Sequence, residues 1–157
     1  MLSSLRLKHR IHLTKIREAV AFVEQKLEIP HALASVKFET DGVDLFVDHV
    51  GAFLNVTRGG QLAIRRLLEE FLHRVEYDDA GGAVLLYPFL SPGSVERAVS
   101  ISPLVSFGRP VIDGTRIPTE ILAERYDAGE SLESLAEDYG QSREAIEKAI
   151  LFEQEAA

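Results

Sequence analysis

The pattern that most restricts the fold lies in residues 131–146. Counting Leu132 as the first position of a helix-turn-helix, the small residue wanted at the fifth is Ala136 and the turn glycine wanted at the ninth is Gly140. The small side chain lets a second helix approach, and glycine takes the positive φ of the turn without steric cost. Leu135, Tyr139 and Ile146 fill the apolar fourth, eighth and fifteenth positions, and Ser131 and Ser142 stand where N-caps belong. Helices are predicted over about 118–127, 132–139 and 142–154. The same template also serves small helical domains that never touch DNA.

Charge bears on what this segment can bind. The chain of 157 residues has a net charge of −8 and no cysteine. Residues 1–117 carry 14 basic and 14 acidic residues, whereas 118–157 carry 3 and 11, so all the excess acid lies in the last quarter. The outward residues of the last helix, Arg143, Glu144, Glu147 and Lys148, sum to zero within that acidic segment. Phosphate contacts supply most of the affinity for duplex DNA, and this helix is poor in the cations that make them. At the other end Arg6, Lys8, Arg10, Lys15 and Arg17 crowd the first helix.

Ahead of the helical end the pattern changes. Leu5, Leu13, Ile16, Val20, Val23 and Leu27 recur at helical spacing and predict one helix over 4–28, which begins without a clear cap. Its apolar stripe must be buried, on the rest of the chain or on a second copy. Residues 35–39, 43–47 and 53–57 alternate and are read as three strands, the first two joined at Asp41-Gly42. A helix is predicted over about 61–73. Strands over 74–78 and 83–87 flank Asp78-Asp79-Ala80-Gly81-Gly82, a strong hairpin signal. Pro88 to Gly93 is the best boundary. The expected fold class is therefore α+β: an N-terminal helix over 1–30, a small antiparallel sheet with one helix over 31–92, and a three-helix, homeodomain-like unit over 93–157.

The run Ser102 to Pro118 is dense in turn formers yet carries Val105, Phe107, Val111, Ile112 and Ile117. It is read, after a short strand over 98–101, as a short hairpin or a tightly packed loop. Arg109 and Arg116 place two guanidinium groups on a short element, suited to phosphate or carboxylate. Pairing with Glu120, Glu124 and Asp127 is the structural alternative. No G-K-[ST] follows Gly108, so the run is no phosphate-binding loop of that type.

Enzymatic readings find little support. His9 and His12 share helical spacing without a third ligand nearby, and His31, His49 and His73 are scattered. Asp41, Asp44 and Asp48 are read as the wet side of a hairpin, too few to gather a catalytic metal. No nucleophile elbow or dinucleotide fingerprint appears. No cofactor or metal is expected, and Leu85 to Leu90 is read as a core strand. No apolar run approaches the ~20 residues of a membrane span. No apolar signal-peptide core follows Met1-Leu2-Ser3-Ser4, so a cytoplasmic protein is expected.

The segment S-F-G-R-P-V-I-D-G-T-R-I-P, with I-L-A-E-R-Y-D-A-G-E and S-L-E-S-L-A-E-D-Y-G behind it, resembles a bacterial domain family filed as of unknown function, number four hundred and thirty-three. The resemblance covers about residues 97–154. Its members look like the antitoxin halves of Vap-type pairs whose toxin is a PIN-like ribonuclease. The family signature falls on Gly108, Arg109, Pro110, Gly114, Thr115, Arg116 and Pro118. What this implies is a non-enzymatic protein that binds a neighbouring toxin and can regulate its own promoter. L-R-L-K-H-R-I-H-L-T-K-I-R-E-A-V is similar to the later helices of a mercury-resistance-regulator-type winged helix-turn-helix, whose start this sequence lacks.

Two functions follow as expectations. The first is an antitoxin-like protein that holds a basic, RNA-binding toxin through acids such as Glu133, Glu137 and Asp138. The alternative is a dimeric transcriptional regulator with Arg109, Arg116, Ser142, Arg143 and Lys148 on DNA. A homodimer suits either.

Overall fold

The computed structural model describes residues 11–54, 57–90 and 94–156. The chain divides into two compact units, Met1–Ala83 and Val84–Ala157. Its described residues form six α-helices with two small antiparallel sheets, so the α+β class holds.

In the first unit, α1 (Leu13–Leu27) buries Ile16, Ala19 and Val23. These three lie three and four residues apart, on one stripe. The part of the predicted first helix before Ile11 lies outside the described residues. Leu13 to Leu27 needs no second copy to cover its stripe, because the stripe packs into a core with Phe38, Phe46, Val47, Ile64 and Leu68. Phe38 and Phe46 meet edge to face, with ring centroids 6.0 Å apart.

The strands expected over 35–39 and 43–47 do not form. Residues Phe38–Gly42 make a π-helical turn that runs into α2 (Val43–Leu54). Val43, Phe46, Val47 and Val50 are all buried, which is a three-four spacing. Within five residues, alternation and helical periodicity are indistinguishable, and burial of Val50 beside Val47 decides for the helix. Asp41-Gly42 is therefore no hairpin turn. A Cβ at Gly42 would come within 2.8 Å of the Phe38 ring, so the glycine is there for close approach. The strand expected over 53–57 is also wrong where it is described, since α2 includes residues 53–54 and Thr57 caps the next helix. Asn55 and Val56 lie outside the described residues.

Helix α3 (Arg58–Leu72) starts where the Thr57 hydroxyl accepts the Gly60 N–H at 3.3 Å. It buries Ile64, Leu67, Leu68 and Leu72. Strands β1 (Val75–Tyr77) and β2 (Ala83–Leu86) pair around the expected turn, in which Asp78 Oδ1 accepts the N–H groups of Ala80 (3.0 Å) and Gly82 (2.8 Å). Asp44 and Asp48 stand one turn apart on α2, and Asp44 pairs with Arg65.

In the second unit, β3 (Val99–Ser100) pairs antiparallel with β4 (Val111–Ile112), in register Val99 to Ile112 and Ser100 to Val111. The three remaining helices follow: α4 (Thr119–Asp127), α5 (Leu132–Tyr139) and α6 (Arg143–Ala156). Ile112, Leu122, Leu135, Ile146, Ala149 and Ile150 form their core, with Ala136 and Tyr139 packed against it. Among the described residues no helix is long and apolar enough to cross a membrane, and no group of His, Asp and Glu could hold a metal ion.

Candidate interaction site

The helix-turn-helix geometry matches its sequence template. Ser131 Oγ accepts the Ser134 N–H at 3.1 Å and caps α5. Gly140 ends that helix in the left-handed region, at φ 61°. Ser142 Oγ accepts the Ala145 N–H at 3.1 Å and caps α6. Ser142, expected on nucleic acid, thus has its hydroxyl committed to the start of the helix.

Two further residues expected on nucleic acid are held by acids. Arg143 Nε donates to Glu133 at 2.8 Å, and its Nη1 lies 3.7 Å from Glu147. Lys148 Nζ sits 2.6 Å from Glu144 and 3.2 Å from Glu96. The hydrogen bond from Lys148 lowers the pKa of Glu144, and those from Glu144 and Glu96 raise that of Lys148. Glu133 is lowered first by its own backbone N–H and then by Arg143. The acid sites divide as well. Asp138 accepts from Arg125 Nη2 at 2.6 Å, whereas Glu137 is exposed and makes no ion pair among the described residues.

Arg125 is the ion-pairing centre that sequence reasoning missed. Its Nε and Nη2 donate to the two oxygens of Glu130 at 2.7 and 2.5 Å, a fork-on-fork pair, and its guanidinium lies 5.3 Å from the Tyr139 ring centroid. Glu130 is consequently lowered by that bond, and Arg125 is raised. The partner lies five residues away across the end of α4, a spacing that marks no helical pair.

The signature run separates into residues that shape the backbone and residues that face water. Thr115 Oγ1 donates to the Ile112 carbonyl at 2.8 Å and accepts the Ile117 N–H at 3.1 Å, closing the hairpin at Asp113-Gly114. Gly114 there has φ 73°, in the region glycine enters freely. The Pro110 carbonyl accepts the N–H of Thr119 at 3.1 Å, and Pro118 precedes α4 in extended geometry. Thr119 is wholly buried, with its hydroxyl in reach of both the Pro110 carbonyl and the Glu153 carboxylate. Ser102 to Pro118 is therefore a hairpin tied to the start of α4.

That hairpin is not packed throughout. Val111 and Ile112 are buried, but Phe107 is 101% exposed and Leu104 is 85% exposed. Phe107 sits in a left-handed turn in which Ser106, Phe107 and Gly108 all have positive φ, at 46°, 58° and 79°. For the two residues with side chains this costs on the order of 1–3 kcal/mol each. Arg109 and Arg116 are exposed and, among the described residues, make no ion pair; the expected structural pairing with Glu120, Glu124 and Asp127 does not occur. The arginines of the signature are thus its available chemistry, beside two bare apolar side chains.

Residues 99–152, the segment with this architecture, match a protein-family model described as "Protein of unknown function (DUF433)". The chain is also 26% identical over 133 residues to VapB45, a candidate antitoxin of Mycobacterium tuberculosis (strain ATCC 25618 / H37Rv). That match covers 77% of this chain and 54% of the relative, so the chain spans about half the relative's length. A crystal structure of Rv2018 from Mycobacterium tuberculosis has the same fold, with a TM-score of 0.65 and 20% identity, covering 95% of this chain and 73% of that one. The matched residues lie within the segment, about 97–154, that the sequence resemblance covers. Its free arginines lie in the hairpin, ahead of the helix-turn-helix rather than on its last helix.

Proposed function

We propose that this chain is the antitoxin of a toxin–antitoxin pair, a non-enzymatic homodimer that binds and neutralises a PIN-like ribonuclease. The match of residues 99–152 to the DUF433 model, together with the likeness to a candidate antitoxin, carries this reading. Charge supports it. With 11 acids against 3 bases in residues 118–157, the helical unit complements a basic, RNA-binding partner. Glu137 is the exposed acid of α5 with no ion pair among the described residues, and Glu133 and Asp138 flank it.

The test is co-expression with a PIN-like ribonuclease. Growth arrest by that protein should be relieved by the wild-type chain. The Glu133→Lys, Glu137→Lys, Asp138→Lys triple variant should bind it more weakly, by a margin that shrinks as salt rises. Relief of arrest with unchanged affinity in the triple variant removes α5 from the interface. No binding and no relief removes the antitoxin reading.

Promoter binding is the second reading, and one observation favours it: Arg109 and Arg116 remain unpaired among the described residues. Arg143 and Lys148 would have to leave their acids to reach phosphate. Autoregulation therefore predicts a salt slope that falls by roughly one unit for each of Arg109 and Arg116 removed.

A further inference from the structure

The exposed turn at residues 104–109 carries two apolar side chains that duplex DNA does not explain. Phe107 and Leu104 are almost fully solvated in the isolated chain, and both are apolar. Beside them stand Arg109 and Arg116, exposed and without an ion pair among the described residues. The Ser106 hydroxyl donates to the Arg116 carbonyl at 3.0 Å, which ties the turn to the segment that carries the second arginine. An apolar centre with guanidinium groups is the composition of a protein interface core, and aromatic and arginine residues dominate the energetics of such surfaces.

The same unit offers the complement. Helix α4 starts directly after the hairpin and exposes Glu120, Glu124 and Asp127, three and four residues apart, so the three acids form one stripe. None of them makes an ion pair among the described residues, in contrast to Glu130, Glu133, Asp138 and Glu144. Ile121, 37% exposed, borders the stripe. Cations with bare apolar groups on the hairpin thus face a matched set of acids with an apolar neighbour on α4. Both surfaces belong to one short segment, yet within one copy they do not pair.

We infer that the 104–109 turn with Arg116 is a docking surface for a second copy of this chain, and that its occupant is the Glu120–Glu124–Asp127 stripe of α4. A two-fold axis sets the turn of each copy against α4 of the other, so the contact is made twice and the assembly closes as a dimer. The homodimer proposed above is thereby placed on this hairpin, and the buried stripe of α1 has no part in it.

Sedimentation equilibrium on the full chain, after nuclease treatment, tests the assignment. The wild type should dimerise. Leu104→Ser with Phe107→Asn, two solvent-facing changes of which the second tolerates left-handed backbone, should weaken self-association by at least about tenfold and leave the urea midpoint unchanged. Arg109→Glu with Arg116→Glu, and Glu120→Arg with Glu124→Arg, should each be monomeric alone. Mixed together they should form a heterodimer, because the reversed hairpin then meets the reversed helix and the wild-type hairpin meets the wild-type helix. A monomeric wild type overturns both this surface and the homodimer. A dimer unaffected by all three variants overturns the surface and leaves the homodimer. Loss of self-association in each charge variant without recovery on mixing overturns the pairing with α4. Loss of DNA retention by the Arg109→Glu, Arg116→Glu variant with its dimer intact assigns the arginines to phosphate instead.

Discussion

Replacing Gly140 by alanine isolates one backbone conformation at the joint of the helix-turn-helix. Gly140 ends α5 at φ 61° and ψ 33°, and its N–H bonds to the carbonyl of Glu137 at 3.3 Å. A Cβ built there meets nothing within 4 Å, so no clash contributes and the whole effect is conformational. Left-handed backbone costs a residue with a Cβ roughly 1–2 kcal/mol. The lower entropy of alanine in the unfolded chain offsets less than about 1 kcal/mol of this. The expected net loss is about 1 kcal/mol. With a urea m-value of about 1–2 kcal/mol/M, the midpoint should fall by about 0.5–1 M. Gly140→Asn is the control, because asparagine enters the left-handed region at smaller cost and should lose less. Circular dichroism at 222 nm follows both transitions. An unchanged midpoint in the alanine variant, or equal loss in both variants, would refute the assignment of the cost to φ.

Other outcomes follow from the same structure. Leu135 is fully buried among Leu122, Ile146 and Ile150, and its truncation to alanine should cost about 3–5 kcal/mol by calorimetric or urea unfolding. Ser142→Ala removes the α6 cap and should cost about 1 kcal/mol in the same assay, with a further local rise in amide exchange at Ala145. The ion pairs set the acid limit. Glu130, Glu133 and Glu144 are all held below their ordinary value of 4.5 in the folded chain, so their contribution is complete above that pH and is lost as pH falls through the lowered values. Urea midpoints should therefore drop as pH falls below 4.5, less steeply in Arg125→Gln than in the wild type, and a flat profile would contradict the pairing.

The accuracy of sequence reading here tracks how local the deciding interaction is. The helices of the second unit were legible because Ser131, Gly140 and Ser142 act on backbone groups three or four residues away. Thr115 and Asp113-Gly114 close their hairpin in the same local way. Residues 43–47 were misread because five alternating residues also fit one helical stripe. Val50, which lies outside that window and is buried with Val47, decides for the helix. The roles of the arginines were illegible for a different reason. Arg143 is taken by Glu133 from ten positions away, while Arg109 and Arg116 stay unpaired among the described residues although acids are abundant in the sequence behind them.

By itself, the sequence determined where the last three helices begin and end, where the hairpin turns, and that the excess acid lies behind residue 117, because caps, left-handed glycines and composition are properties of a few neighbouring residues. Only the tertiary structure decided which charges are spent on one another and which apolar side chains are left bare. Phe107 and Val111 are apolar residues four positions apart in one hairpin, yet one is fully solvated and the other buried. Burial and ion pairing are set by what other segments bring to a position, and no spacing along the chain records that.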